Sequence, residues 1–357
     1  MPPSPQPRCL IAAGGTAGHV LPALAVAEAL SARGASVTLA GRPDSIEARL
    51  AAQAGLEFDR FQVEGFPREA SLRLVRALAH AVAAPAACVR ILRRRRPDVV
   101  LGAGGYVGGP MVLAAGILRL PGALTEADAH LGLANRLAAP FAVRVFCAFP
   151  IDGLAGPKYR VVGRPLPKRS RPVAREEARA LFGLPAEGAV VLVFGGSQGA
   201  RRLNEAAIEA FGADGPAVLH LAGERDFPAL EPRAARDGYR LLPFTDDFGA
   251  ALSAADLVVA RAGGSVWELA AAGKPALLVP YPHATADHQT KNARYFERGG
   301  GAVVVPEAEL DLRRQVEALL ADPAKLEEMS VAMTALARPD AAEVVAEELI
   351  AVAAARR

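Results

Sequence analysis

The chain has 357 residues, of which 52% are hydrophobic and 22% charged, so it is long enough for two globular domains. Its three cysteines, Cys9, Cys88 and Cys147, are far apart and odd in number, which argues against a disulfide framework or cysteine metal site and indicates a reducing, cytoplasmic setting. The proline-rich start lacks the apolar core of a signal peptide, and no apolar run reaches the ~18 residues of a membrane span, so we expect a soluble or peripheral protein.

The formal charge of +3 is unevenly distributed along the chain. Residues 60–100 contain nine arginines and three acids, so this segment carries +6 and the remainder −3. Such a basic block predicts an anionic surface as a partner. Within it, a helical face beside Arg73 and Arg76 has two interpretations, a face packed on the core or a face turned outward onto anionic lipid. That face consists of Leu72, Val75, Ala79 and Val82.

The first half of the chain alternates short apolar strands with glycine loops and helices. A strand over 9–13 runs into Gly14-Gly15-Thr16-Ala17-Gly18-His19 and a helix that ends near Gly34. A strand over 97–101 leads into a second glycine loop, Gly102 to Tyr106. With further strands at 36–40, 120–124 and 143–149, the alternation predicts parallel strands joined by crossover helices.

The pattern restarts after a basic, proline-containing linker that begins at Arg160. We expect a second sheet, with strands at 189–194, 217–221, 239–243, 256–260, 275–279 and 302–305. The tail from Asp340 predicts a helix, with Glu343 completing a capping signal and an apolar stripe that must pack on another element. The stripe consists of Val345, Leu349 and Val352. Two doubly wound domains would bind ligands beyond the carboxyl ends of their strands, in the cleft between the domains.

A glycine loop near the middle of the chain, Gly195-Gly196-Ser197-Gln198-Gly199-Ala200, follows a strand and opens a helix. Backbone N–H groups and the helix dipole make such a turn an anion site, although some loops of this kind only allow close helix–strand packing. Neither this loop nor the one at residue 14 has the glycine spacing of a dinucleotide fingerprint or of a P-loop. The pattern therefore disfavours NAD and ATP and favours a nucleotide diphosphate held by backbone amides.

Glu268 follows a third strand and glycine turn and falls in the first turn of the next helix. Its carboxylate is suited to accept hydrogen bonds from both hydroxyls of a ribose, the alternative being a surface glutamate that the helix dipole favours. The side chain would point to the ligand edge if Val266 and Leu269 face the core.

Two other stretches carry polar candidates. The segment 280–292 offers several hydrogen-bonding groups suited to reading sugar hydroxyls, but its two histidines lack the glutamate of a zinc motif. The chain has no Asp-x-Asp, and Glu126-Ala127-Asp128 is its nearest approach to a carboxylate pair for a divalent ion. His19 is suited to accept a proton from a hydroxyl, or it is a helix-start histidine bonded to backbone.

Taken in order, several segments resemble the MurG family of peptidoglycan N-acetylglucosaminyltransferases across nearly the whole chain. They are GGTAGHVLPALAVAEAL, PDVVLGAGGYVGGP, VVGRPLP, VFGGSQGARRLN, PFTDDF, DLVVARAGGSVWELAAAGKPALLVPYP and DHQTKNA. The resemblance implies a GT-B fold, with two doubly wound Rossmann-like α/β domains whose parallel sheets face each other across a cleft. Residues 1–163, joined by the helix 340–357, would bind the acceptor and the membrane, and residues 164–339 would bind the donor.

The implied reaction is an inverting, metal-independent transfer in peptidoglycan synthesis, a process tied to cell shape and division. GlcNAc would pass from UDP-GlcNAc to the 4-hydroxyl of MurNAc in undecaprenyl-diphosphate-MurNAc-pentapeptide (lipid I), giving lipid II at the cytoplasmic face of the membrane. The expected partners are these two substrates and the anionic inner-membrane surface, with no cofactor and no nucleic acid.

Position by position, the resemblance implies three groups of site residues. The donor would be bound by Gly196, Ser197, Gln198 and Gly199 at the diphosphate, Phe244 and Thr245 at uracil, Gly264, Ser265 and Glu268 at ribose, His288 and Gln289 at GlcNAc, and by Arg164. The acceptor would be bound by Gly14, Gly15, Thr16, Gly18, Gly104, Gly105, Tyr106 and Asn135. His19 would be the base, and Glu126 and Asp128 are further catalytic candidates.

The chain departs from the family pattern at four places. Ala17 replaces a glycine, Thr125-Glu126-Ala127-Asp128 replaces His-Glu-Gln-Asn, and His288 replaces a glutamine. Pro167 occupies the place of an arginine, whose charge would have to come from Arg164, Lys168 or Arg169. Two alternatives therefore remain open, a UDP-sugar transferase with another lipid or small-molecule acceptor, and a non-catalytic UDP-sugar-binding cell-wall protein.

Overall fold

The computed structural model describes residues 6–64, 72–196 and 200–356. They form two compact units, one running to Pro167 and including Pro339–Arg357, the other comprising Lys168–Arg338. Each unit contains one all-parallel sheet whose strands are connected through helices. The expectation of two doubly wound α/β domains is confirmed.

The first unit holds a seven-stranded sheet. Its strands are β1 (Arg8–Ala12), β2 (Ser36–Gly41), β3 (Glu57–Arg60), β4 (Val99–Gly102), β5 (Gly122–Glu126), β6 (Ala142–Cys147) and β7 (Tyr159–Val161). They lie in the order β3-β2-β1-β4-β5-β6-β7, and β1 pairs with β4 in the register Cys9 to Val99. The helices between them are α1 (Ala17–Ala32), α2 (Ile46–Gln53), α3 (Leu72–Arg95), α4 (Gly105–Ile117) and α5 (Leu133–Ala138).

Both faces of this sheet are covered, because alternate residues of the central strands enter different apolar clusters. Ile11 of β1 packs in a cluster with residues of α1, whereas Leu10 packs with residues of α3 and α4. Strands buried on both faces read as continuous apolar runs, which is why β1 and β4 were predictable.

The two edge strands, β3 and β7, were not predicted. β3 has the sequence EFDR, and β7 falls in the stretch that the sequence marks as linker. Two arginines of α3 bind the carboxylate of buried Asp59 on β3, Arg94 at 2.6 Å and Arg95 Nε at 2.7 Å. Charged edge strands carry little apolar signal, so pairing with a neighbour decides their structure.

The second unit holds a six-stranded sheet. Its strands are β8 (Val190–Phe194), β9 (Ala217–Leu221), β10 (Tyr239–Leu242), β11 (Leu257–Ala260), β12 (Ala276–Leu278) and β13 (Ala302–Val304), in the order β10-β9-β8-β11-β12-β13. Its helices are α6 (Arg175–Leu181), α7 (Arg201–Phe211), α8 (Phe227–Leu230), α9 (Phe248–Ala254), α10 (Val266–Ala271), α11 (His288–Arg298), α12 (Leu312–Leu320) and α13 (Pro323–Leu336).

A buried polar network ties α7 to β9 and β10. His220 lies 3.0 Å from the Asn204 amide oxygen through Nε2 and 2.8 Å from the Tyr239 hydroxyl through Nδ1. Asn204 in turn donates to Asp226 at 3.1 Å. Burial lowers the pKa of His220 to about 3, so the ring is neutral. One ring nitrogen then donates a hydrogen bond and the other accepts one.

The last helix, α14 (Ala341–Ala354), belongs to the first unit. Val345 and Leu349 are fully buried beside α1, and Val352 is partly buried against the same cluster. Glu347 and Glu348 form ion pairs with arginines of the first unit, at 2.6 Å in the pair with Arg33. The predicted helix is confirmed, but the predicted capping signal is wrong, because the Asp340 side chain makes no capping hydrogen bond.

None of the described helices, the 24-residue α3 included, combines the length and the hydropathy that a transmembrane span requires.

We predict that Leu349→Ala lowers the free energy of unfolding by about 2–5 kcal/mol, because it leaves a cavity in a fully buried helix interface. Urea denaturation followed by circular dichroism measures the change. Glu343→Ala, a change at an exposed residue of the same helix, is the control. Its free energy of unfolding should stay within about 0.5 kcal/mol of the parent value. Equal losses in the two variants would contradict the packing role of α14.

Candidate active site

Two glycine loops meet at the carboxyl ends of β1 and β4, which are neighbours in the first sheet. Gly104 has φ +79°, and a Cβ there would lie 2.7 Å from Cδ2 of the His19 ring. Gly105 has φ +65°, and a Cβ there would lie 2.8 Å from the carbonyl oxygen of Gly14. Only glycine permits this close approach, so the loop at Gly104 and Gly105 packs directly against the side chain of His19.

His19 lies in the first turn of α1 and lines a small pocket within the first unit, together with Gly104, Thr125, Glu126 and Arg164. Its Nδ1 is 3.2 Å from the hydroxyl of Thr16. Burial lowers the pKa of His19, the positive charge of Arg164 lowers it further, and the carboxylate of Asp128 opposes both. The imidazole is therefore biased toward its neutral form, which can accept a proton.

Arg164 belongs to the first unit and lines this pocket, whereas the other predicted donor-binding residues belong to the second unit. Its guanidinium donates to the carbonyl oxygen of Gly18. Its neighbours Val162, Gly163 and Pro165 line the same pocket. Arg164 therefore acts on the His19 loop in this structure.

Glu126 is buried at the end of β5 and its two oxygens accept four hydrogen bonds. Oε1 accepts from the N–H groups of Ala127 at 2.9 Å and Asp128 at 3.2 Å, and Oε2 accepts from Gly132 N and Asn135 Nδ2, both at 2.9 Å. Burial raises the pKa of Glu126, and these hydrogen bonds oppose the rise. The carboxylate therefore holds the loop 126–132 in shape.

Asn135, predicted as an acceptor contact, is only 3% exposed. Its amide nitrogen donates to the Thr125 carbonyl and to Glu126, each at 2.9 Å. The structure therefore places Asn135 behind Glu126 as its support. Tyr106 packs beside Gly15, and its hydroxyl accepts a hydrogen bond from Arg42 at 3.0 Å.

In the second unit, the predicted diphosphate loop follows β8. Gly196 has φ +91°. Ser197, Gln198 and Gly199 lie outside the described residues. Past them, α7 begins at Arg201, with β8 fully buried before the loop.

The predicted ribose-binding residue, Glu268, lies in the first turn of α10, after the turn that contains Gly264 and Ser265. Val266 and Leu269 are fully buried, as expected, so Glu268 stands on the opposite, partly exposed side. Its carboxylate accepts a hydrogen bond from the hydroxyl of Ser170, a residue that no sequence pattern marked.

The predicted uracil contacts, Phe244 and Thr245, follow β10. Phe244 is half exposed, and the Thr245 hydroxyl accepts from the N–H of Asp247 at 3.1 Å. The guanidinium carbon of Arg169 lies 5.9 Å from the Phe244 ring centroid.

The predicted GlcNAc-reading pair, His288 and Gln289, begins α11. Nδ1 of His288 is 2.9 Å from the Thr285 carbonyl oxygen, and Oε1 of Gln289 accepts from the N–H of Tyr281 at 2.9 Å. Nearby, Arg261 donates to the carbonyls of Val279 and Pro280, which fixes the loop after β12; no sequence pattern marked this residue. Across the described ranges, no three histidine, cysteine or acidic residues converge in a geometry that could hold a metal ion.

Family models match both units of the chain. The glycosyltransferase family 28 N-terminal domain matches residues 9–147, and its C-terminal domain matches residues 190–345. A UDP-N-acetylglucosamine–N-acetylmuramyl-(pentapeptide) pyrophosphoryl-undecaprenol N-acetylglucosamine transferase from Halorhodospira halophila is 44% identical, over 94% of this chain and 96% of the relative. The crystal structure of MurG from Acinetobacter baumannii is 30% identical with a TM-score of 0.78, covering 97% of this chain and 100% of that chain.

The chain belongs to the MurG family of glycosyltransferases. The resemblance drawn from the ordered segments is thereby confirmed, as is the expectation of a GT-B fold and of a hexosyltransferase enzyme. A glycosyltransferase of kitacinnamycin, 19% identical with a TM-score of 0.73 over 97% of this chain and 100% of that chain, shares the fold.

We predict that Gly104→Ala lowers kcat of this MurG-family enzyme by about tenfold or more, because the new methyl group displaces the His19 ring from its place. Steady-state transfer assays measure the loss. Gly153→Ala is the matched control, since Gly153 has φ +77° in the same unit but no atom within 4 Å of its Cβ position. Similar losses of kcat in both variants would show that backbone strain alone is responsible.

We predict that Arg164→Gln raises the pKa of His19, because the variant removes a positive charge that disfavours the imidazolium. If neutral His19 is the active form, activity is lost as pH falls through its pKa, so the acid limb of the kcat profile should move to higher pH. An NMR titration of the His19 ring checks the same shift directly. Arg136→Gln, an exposed change on α5, should leave the limb in place.

Proposed function

We propose that this chain transfers GlcNAc from UDP-GlcNAc to the 4-hydroxyl of MurNAc in undecaprenyl-diphosphate-MurNAc-pentapeptide, forming lipid II with inversion at the anomeric carbon. The observation that carries the proposal is the match to the Halorhodospira relative, at 44% identity over 94% of the chain, whose name gives UDP-N-acetylglucosamine and N-acetylmuramyl-(pentapeptide) pyrophosphoryl-undecaprenol as its substrates.

In this scheme His19 is the general base. When Nδ1–H donates to Thr16, Nε2 holds the lone pair and accepts the proton of the acceptor hydroxyl. The hydroxyl oxygen forms a bond to C1 of GlcNAc while the bond from C1 to the diphosphate oxygen breaks and UDP leaves. The lowered pKa of His19 favours the unprotonated imidazole that a base requires.

The leaving diphosphate is assigned to the loop that precedes α7. Backbone N–H groups and the positive end of an 11-residue helix can bear the developing negative charge, which makes a metal ion and a cofactor unnecessary in the scheme. Glu268 would accept from the ribose hydroxyls, Phe244 and Thr245 would contact uracil, and His288 and Gln289 would read GlcNAc.

The acceptor is assigned to the first unit. The loops that begin at Gly14 and Gly104 supply backbone N–H groups and a small pocket around His19, suited to the diphosphate and MurNAc of the lipid-linked substrate. Glu126 acts in this scheme by holding the loop that carries Asp128. The second unit would then serve the donor.

The enzyme would act as a peripheral protein on the anionic cytoplasmic face of the membrane. Four large apolar side chains in and near α5 of the first unit are exposed. They are Ile117, Leu133, Leu137 and Phe141. Leu137, for example, is 67% exposed, and the exposed Arg136 precedes it in the helix. Exposed apolar groups with neighbouring arginines suit insertion into an anionic lipid surface.

The basic helix α3 gives partial support to the proposed contact of the first unit with the membrane. Val82 is 82% exposed, in line with the outward interpretation of its apolar face, whereas the side chains of Leu72, Val75 and Ala79 and of Arg73 and Arg76 lie outside the description. Arg94 and Arg95 pair with Asp59 and therefore serve β3 in the fold.

A transfer assay tests the reaction. Purified enzyme, radiolabelled UDP-GlcNAc and a soluble lipid I analogue should give one labelled disaccharide product with a β-1,4 linkage. Transfer only to other lipid or small acceptors would favour a related UDP-sugar transferase. Absence of any transfer, with UDP still raising Tm, would favour a UDP-sugar-binding protein.

We predict that Leu133→Ser with Leu137→Ser weakens binding to vesicles containing anionic lipid by about fivefold or more, because two apolar groups no longer enter the lipid. Co-sedimentation measures the bound fraction. Leu181→Ser, which removes a leucine of 57% exposure from the second unit, is the control and should bind as the parent does. Unchanged sedimentation of the double variant would contradict the proposed membrane face.

A further inference from the structure

The short turn Lys168–Ser170, a 3₁₀ helix at the start of the second unit, lies beside the residues assigned to the donor nucleoside. It follows Pro167, where the chain lacks the basic residue that the family pattern has. Of the three arginines and lysines that the sequence offers instead, Arg164 is bound to the His19 loop of the first unit. Arg169 is the one that lies against a predicted uracil contact.

The Arg169 guanidinium lies over an aromatic ring, and its Nε–H makes no hydrogen bond within the described part of the chain. Its central carbon is 5.9 Å from the Phe244 ring centroid, and its Nε is buried. Its closest carboxylate, Asp246, is 4.0 Å away and 89% exposed, so that pair is loose. A buried, unpaired N–H beside an exposed aromatic ring is suited to receive a carbonyl oxygen from a planar ligand.

Ser170 is buried, and its hydroxyl donates to Oε1 of Glu268. The backbone around it is fixed against α9, since a Cβ at Gly249 would lie 2.0 Å from the Arg171 carbonyl oxygen and Val173 N donates to Ser253 at 3.0 Å. The Ser170 hydroxyl therefore helps to set the orientation of the Glu268 carboxylate.

We propose that the turn Lys168–Ser170 recognises the nucleoside of the donor: Arg169 Nε–H donates to a carbonyl oxygen of the pyrimidine, and Ser170 positions Glu268 for the ribose diol. The inference rests on the proposed function for the identity of the donor. Arg169 takes the role left open by Pro167, and Ser170 is a positioning residue that acts through Glu268.

Isothermal titration of the full chain with UDP and with 2′-deoxy-UDP separates the two roles. Arg169→Gln should weaken both ligands by about tenfold, because both carry the same base and one hydrogen bond to a charged group is lost. Ser170→Ala should weaken UDP by about fivefold or more and leave 2′-deoxy-UDP within about twofold, because only the contact with the intact diol depends on the orientation of Glu268.

Three further variants sharpen the test. Arg171→Gln removes an exposed arginine two residues away and should bind both ligands as the parent does. Arg169→Lys keeps the charge without the planar group and should lose nearly as much affinity as Arg169→Gln. In a Glu268→Gln background, Ser170→Ala should add little further loss of UDP affinity, because Ser170 acts through the carboxylate.

Parent-like binding of both ligands by Arg169→Gln would overturn the role of Arg169. Equal losses of UDP and 2′-deoxy-UDP in Ser170→Ala, or a fully additive loss in the Glu268→Gln background, would overturn the role of Ser170. The proposed function fails separately: a chain that shows the expected binding pattern but transfers no GlcNAc would refute the reaction and retain the nucleoside site.

Discussion

The contact between the Gly104 loop and the His19 ring is the constraint on which the first-unit site depends. Parallel pairing of β1 and β4 brings their carboxyl ends together, and the loops that follow must then share one space. Glycine at positions 104 and 105 lets the backbone come against His19 and Gly14 where any Cβ would collide. Burial of the imidazole is also the largest cause of its lowered pKa, so packing at this site contributes to its acid–base behaviour.

Two opposite charges then adjust this histidine. Arg164 disfavours the imidazolium and Asp128 favours it, and each is held in place by a contact of its own. Arg164 is bound to the Gly18 carbonyl, while Asp128 belongs to a loop whose N–H groups converge on Glu126. Since the family pattern has an amide where Asp128 stands, this chain places an extra negative charge near His19. The buried Glu126 thus influences the chemistry through the loop geometry that it maintains.

The sequence allowed the prediction of what depends on local pattern. Strands such as β1 and β8, whose apolar residues are buried, appear as apolar runs. The side of α10 on which Glu268 lies followed from the spacing of Val266 and Leu269. Contacts between distant residues were not predictable. The Ser170 hydroxyl meets Glu268 across 98 positions, and no periodicity or motif marks a single serine after a proline-rich stretch. The polar edge strands β3 and β7 were not predicted for a related reason, since their strand structure depends on pairing with a neighbouring strand.

The departure at Pro167 bears directly on the proposed role of the turn Lys168–Ser170. Proline fixes its own φ and has no N–H, so the backbone entering the second unit is restricted just before the turn that contains Arg169 and Ser170. The backbone after the turn, at Arg171, packs closely on Gly249 and fixes the turn from its other side. The guanidinium two positions later lies over Phe244, at 5.9 Å from the ring centroid. In the proposed scheme, recognition of the nucleoside depends on residues of Lys168–Arg338, whereas the proposed proton acceptor, His19, belongs to the other unit.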